Sequence, residues 1–182
     1  MKSRIAEAIK LKYQPVALLW SVEKPADAMQ FAEGKWGCVM WLAVHAAKGR
    51  AAVADRKTFG CFGGGVGLGF GNQYKNFPGG EEGFCYFLSS GNARRPGGPE
   101  MAEKVKPFMT GESHDNFLNG ERYVQSPHLV EKFIRDLPLT DIPKPFVVFQ
   151  PLSDVDQDGE KPRTVIFFVT PDQLSALTVL AN

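Results

Sequence analysis

Polar and apolar residues interleave with a helical period at the start of the chain. Lys2, Arg4, Glu7, Lys10 and Lys12 alternate with Ile5, Ile9 and Leu11, which predicts an amphipathic helix over residues 5–13. Pro15 ends it, and the apolar run at 16–20 has the length of a strand. Residues 24–31 open on Lys24-Pro25-Ala26-Asp27 and predict a short helix. Another helix is predicted over 38–48, closed by Gly49 where a helix C-terminus favours glycine. A strand follows at 51–54, then a glycine-dense stretch at 57–71 and an apolar run at 83–88 that reads as a strand. Pro99 opens a helix over 100–109, and Ser126 caps one that starts at Pro127 and runs to 137. Strands at 146–149 and 164–169 are joined by a polar segment, the pattern of a hairpin with a long loop. Thr170 then caps a last helix that opens with Pro171 and carries Leu174, Leu177 and Leu180 at three-residue spacing. Strands scattered among helices without strict alternation give an α+β fold. The expectation is a mostly antiparallel sheet with helices packed around it, in a single domain over 1–182.

Composition narrows the picture. With 182 residues, 43% of them hydrophobic, the chain is large enough to bury a core without staples. Lys plus Arg is 21 against 20 for Asp plus Glu, so no electrostatic footprint for nucleic acid is present. No apolar run approaches the roughly 18 residues of a membrane span, and the first residues lack the form of a signal peptide. Three cysteines, Cys38, Cys61 and Cys85, with no export signal argue against a disulfide framework and for a reducing, cytoplasmic setting.

The least ordinary segment runs from Phe59 to Gly71, where Cys61 is followed by Gly63, Gly64 and Gly65 and then by Gly67, Gly69 and Gly71. Such glycine density carries an entropic cost. Two explanations compete: close approach of the backbone to a ligand, or a tightly packed turn and helix. The segment contains neither a P-loop lysine nor the G-x-G-x-x-G spacing. Cys61 stands just before the glycines, near a possible helix start, where a thiolate is favoured and space is open for a bulky cofactor. Cys38 is a candidate second metal ligand, although the spacing of the three cysteines matches no ferredoxin run. His45 shares a helical face with Cys38 and makes zinc a minor alternative. The D-x-D-x-D-G run at 154–159 resembles a calcium loop, but Val165 stands at its twelfth position, so Asp154, Asp156 and Asp158 are expected to be exposed and metal-free. No Ser/His/Asp set or paired carboxylate stands out, so the sequence assigns no enzymatic reaction.

Several of these segments together resemble the prokaryotic domain of unknown function 169 family (DUF169). Gln14-Pro15-Val16-Ala17-Leu18 resembles its early strand. Cys38 and the small-residue helix to Lys48-Gly49-Arg50 resemble its first cysteine helix. Cys61 with Gly63-Gly64 and Leu68-Gly69 resembles its "C-x-GG…LG" signature. Pro151-Leu152-Ser153 and Pro171-Asp172-Gln173 resemble its later hairpin and helix. The resemblance raises the weight on Cys38 and Cys61, and Cys85, which falls on no family cysteine, is assigned to the core. It also implies a further cysteine-bearing segment beyond residue 182, so the domain is expected to lack its C-terminal part or part of the site. The functional expectation is a redox or cofactor-binding protein. Cys38 and Cys61 would hold an iron–sulfur cluster or similar metallocofactor, Gly63, Gly64 and Gly65 would admit it, and a redox partner or second copy would be the partner. The alternative is a non-enzymatic binding module whose glycine-rich loop holds a small anion or partner while the cysteines are structural. A thiol-reactive enzyme using Cys61 alone ranks last, for want of a base.

Overall fold

The first strand shows how the sequence partitions itself. The structure, a computed structural model, describes residues 1–181, and β1 (Val16–Ser21) alternates its side chains between two apolar clusters. Val16, Leu18 and Trp20 face one cluster with Leu42, Ala43 and Phe149, whereas Ala17 and Leu19 face a second with Leu152, Val155 and Val165. This is the two-residue period of a strand buried on both faces. The sheet is four-stranded and antiparallel, in the order β2 (Ala52–Ala54), β3 (Phe146–Pro151), β1, β4 (Thr164–Ile166). The fold is α+β.

The strands at 146–151 and 164–166 do not pair with each other, contrary to the hairpin expectation. β1 lies between them and takes both as antiparallel neighbours, with Val16 opposite Pro151 on one side and Ile166 on the other. A long polar connection carries no register information of its own, and the twice-buried β1 has two edges to satisfy. The predicted helix at 24–31 is also absent. That stretch runs alongside β2 instead, with Met29 N–H bonded to Ala51 C=O at 3.0 Å and Val53 N–H to Met29 C=O at 2.8 Å.

Two compact units are present, one formed by Met1–Phe70 with Ile142–Asn182, the other by Gly71–Asp141. The first holds the sheet, α1 (Arg4–Ala8), α2 (Met40–Ala47), α3 (Phe62–Gly67) and, at the end of the described chain, a long helix, Pro171–Ala181. On α2 the residues Leu42, Ala43, Ala46 and Ala47 are buried, and the three alanines let the helix pack against β2 and β3. The Gly49 N–H closes α2 on the Ala46 carbonyl. The Pro171–Ala181 helix starts with a reciprocal cap: Thr170 Oγ1 accepts from Gln173 N–H, and Gln173 Oε1 accepts from Thr170 N–H. Its Leu174 and Leu180 side chains are 56% and 59% exposed, as expected for an apolar stripe only partly covered.

The Gly71–Asp141 unit is helical. It contains α4 (Gly80–Leu88), α5 (Gly98–Val105), α6 (Gly111–Asn119) and α7 (Pro127–Asp136), so the helix Pro171–Ala181 is α8. α4 replaces the strand expected at 83–88. Phe84 and Phe87, three apart and therefore on one helical face, both meet Phe77, at ring separations of 5.3 and 5.1 Å. Phe117 of α6 completes this aromatic core with Phe77 at 5.9 Å. Ser126 caps α7 through Leu129 N–H with Pro127 in its first turn, as predicted.

Candidate functional site

Cys61 is the N-cap residue of α3. Its backbone is extended, and its sulfur accepts a hydrogen bond from the Gly64 N–H at 3.3 Å. The loop that delivers it is braced by a polar network the sequence reading did not single out. Asp55 accepts from the Lys57 N–H and the Thr58 hydroxyl, and Gln30 Nε2 donates to both Asp55 and Thr58 at 2.9 Å. The signal was present as Asp-x-x-Thr, a side-chain-to-backbone turn pattern.

Cys38 lies on the segment that runs beside this loop. The Gly37 N–H points to the Gly60 carbonyl at 3.4 Å, and on the other side of the cysteines Val39 packs against Gly64. The residues flanking Cys38 therefore touch the residues flanking Cys61. The Phe31 ring lies across both Gly37 and Gly60. A β-carbon at Gly37 would come within 2.6 Å of that ring and one at Gly60 within 2.9 Å, so these two glycines are set by packing. Trp36 meets Phe62 edge-on at 5.3 Å, and Phe59 meets Phe62 at 6.0 Å, so a ring contact also joins the two cysteine-bearing segments.

Cys38 is exposed and Cys61 half-buried, and both are free thiols. The glycines divide by role. Gly65 is buried, Gly64 is pressed between Val39 and the Cys61 sulfur, and Gly63 is exposed. Gly67, also exposed, has nothing within 4 Å of where a side chain would begin. The packing explanation thus accounts for Gly37, Gly60 and Gly64 but not for Gly67. Around Cys38 the surface carries Trp36, Met40 and Trp41, the last 62% exposed.

His45 is half-buried on α2, and among the described residues no group of three or more His, Cys, Asp and Glu is arranged to hold a metal ion. Cys85 belongs to the Gly71–Asp141 unit and is buried. Burial, with Glu81, Glu131 and Glu82 adding to it, pushes its thiol up to about 11, which keeps it protonated and inert. Asp154, Asp156 and Asp158 are all exposed, and Val165 pairs with Ala17 within the sheet, as expected of a polar turn. Among the described residues no helix is long and apolar enough to cross a membrane.

No curated protein and no solved structure matches the chain. A family pattern described as "Uncharacterised ArCR" matches residues 4–182, covering the sheet, the Gly71–Asp141 unit and the cysteine–glycine segment alike. The chain belongs to the DUF169 family.

Proposed function

We propose that this chain is a redox or cofactor-binding protein in which Cys38 and Cys61 ligate a metallocofactor, an iron–sulfur cluster being the group best suited to thiolate donors. The supporting observation is the contact between their two segments, Gly37 against Gly60 and Val39 against Gly64, which leaves both thiols accessible. The Gly64 N–H donates to the sulfur of Cys61, the kind of backbone bond a cluster thiolate accepts, and Gly63 beside it is exposed, whereas Gly65 is buried with its N–H on the Cys61 carbonyl. The two thiols fit half of a four-thiolate set, and the remaining ligands come from a partner, either a redox protein or a second copy of the chain. Accessible free thiols persist in a reducing cytoplasm, and that is the setting of this reading.

A second reading is favoured by the surface itself. Gly63 and Gly67 are exposed without packing cause at Gly67, and Trp36, Met40 and Trp41 stand open nearby in sequence to Cys38. In that reading the face is a non-enzymatic binding module and the cysteines are structural.

Anaerobic reconstitution with iron and sulfide separates the two. The expected result is retained iron and sulfide with broad absorbance near about 400 nm, lost in C38S and C61S and kept in C85S. Wild-type protein that retains neither element, or serine variants that load like wild type, would overturn the first reading.

A further inference from the structure

The Gly71–Asp141 unit contains a cavity unconnected with the cysteine chemistry. It has a volume of about 520 Å³ and is bounded by the loop after α4, the loop after α6 and the side chain of Tyr86. Two arginines, Arg94 and Arg122, line it together with Ser90, Asn119 and Gln125, and none of its lining residues is acidic. Glu121, the residue before Arg122, is not among them.

Neither arginine is spent on the fold. Among the described residues Arg94 and Arg122 have no ion-pair, hydrogen-bond or ring partner for their side chains. Arg95 shows the contrast: it is buried, its Nε donates to Asn92 Oδ1 at 2.8 Å and its guanidinium pairs with Glu82 at 3.3 Å. Arg122 also holds a left-handed backbone, φ 57°, a conformation that glycine adopts without cost and arginine does not. A long cationic side chain kept at a glycine-favouring position calls for a functional explanation.

The walls are fixed in place. Asn92 and Ala93 N–H groups bond to the Phe117 and Leu118 carbonyls, and Glu121 and Val124 N–H groups bond to the Phe87 and Leu88 carbonyls. A side chain at Gly91 would collide with the Leu118 carbonyl, and one at Gly120 with the Ser89 carbonyl, so the two loops approach as closely as glycine permits. The arginines therefore project from a braced frame, which lowers the ordering cost of binding.

We infer that this cavity binds a small organic oxyanion, with Arg94 and Arg122 gripping the anionic group and Tyr86, Leu118 and Val124 flanking its apolar body. Guanidinium groups present paired donors that match phosphate and carboxylate oxygens alike, so the shared chemistry is the oxyanion. The volume exceeds what a bare inorganic ion needs, which points to a ligand with a carbon skeleton.

Titration of the full chain with phenyl phosphate and, separately, with benzoate, each at fixed ionic strength, tests this by NMR of arginine Nε–H and backbone amide signals. Saturable shifts at Arg94, Arg122 and Ser90 are expected, with affinity falling about tenfold or more in R94A and in R122G. R122G removes the charge while suiting the backbone, so it should melt no lower than wild type and report on binding alone. Tighter binding of one probe identifies the ligand as a phosphate or a carboxylate. Non-saturating shifts spread over the surface, or R122G binding both probes as wild type does, would overturn the inference.

Discussion

Val39 and Gly64 touch so closely that a β-carbon at position 64 would lie 2.8 Å from Cβ of Val39, and 2.9 Å from the sulfur of Cys61. The obstructing atom on Val39 is its first side-chain carbon, which moves only if the backbone moves. Alanine at 64 would gain about 1 kcal/mol of helix propensity. Overpacking against a fixed neighbour costs about 1–3 kcal/mol and wins. G64A should therefore lose about 1 kcal/mol or more in urea unfolding, and faster alkylation of Cys61 should accompany it as the sulfur is displaced.

Gly67 predicts the opposite sign. It sits in the same helix, has an ordinary negative φ and meets nothing within 4 Å. G67A should raise stability by about 0.5–1 kcal/mol, because only the flexibility of the unfolded chain is reduced. If the exposed glycines admit a cofactor or partner, the same variant binds it more weakly while melting higher. A G67A protein with lower melting temperature would contradict this account of α3.

The three thiols should separate by reactivity. Iodoacetamide near neutral pH is expected to modify Cys38 readily and leave Cys85 intact until the protein unfolds, as peptide mapping would show. The Cys85 thiol is raised from an ordinary 9.0 to about 11. Below 9.0 it is protonated in both folded and unfolded chains. Between 9.0 and 11 the unfolded thiol ionises while the folded one does not, so stability falls as pH rises through that window. The difference between wild type and C85A isolates the effect from lysine and tyrosine titration, and C85A should decline less steeply.

Asn92 is fully buried. Its amide donates to the Gly83 and Phe117 carbonyls at 3.1 and 3.2 Å, and its oxygen accepts from Arg95. N92A would take one bond from each partner, with the Phe117 carbonyl keeping the backbone N–H of residue 92 and Arg95 keeping Glu82, at a cost of about 1–3 kcal/mol. N92D keeps the bond to Arg95 but turns a carboxylate oxygen toward two carbonyls, so it should also destabilise. Denaturant unfolding at pH 7 measures both, and a near-neutral N92A would mean that water replaces the amide.

Local signals in the sequence carried much of this fold. Ser126-Pro127 and Thr170-Pro171 announced α7 and α8 because a cap needs only a few neighbouring residues. The continuous apolar run from Val16 to Trp20 announced β1 by its strand length after Pro15. Partner choice was not legible: nothing within residues 146–169 says that β1 will lie between the two strands there. The run Gly83-Phe84-Cys85-Tyr86-Phe87-Leu88 was too short for periodicity to separate strand from buried helix. Glu81 and Glu82, which occupy the first turn of α4, were the overlooked hint. At the candidate site, Cys38, Cys61 and the glycine run stood out by composition. The bracing by Gln30, Asp55 and Thr58, and the placement of Phe31 over Gly37 and Gly60, depend on residues distant in sequence, which only the folded chain brings together.

The strand order has a temporal consequence. β1 is made early, yet its partners at Phe146–Pro151 and Thr164–Ile166 emerge only after the whole of Gly71–Asp141 has been synthesised. During translation the helical unit can reach its own contacts while β1, apolar on both faces, still waits for both neighbours. Pairings that span so much chain close slowly, because the loop entropy is spent before the contact is made. Folding should thus proceed from the middle of the chain outward, with the exposed edges of β1 the segment most in need of a chaperone.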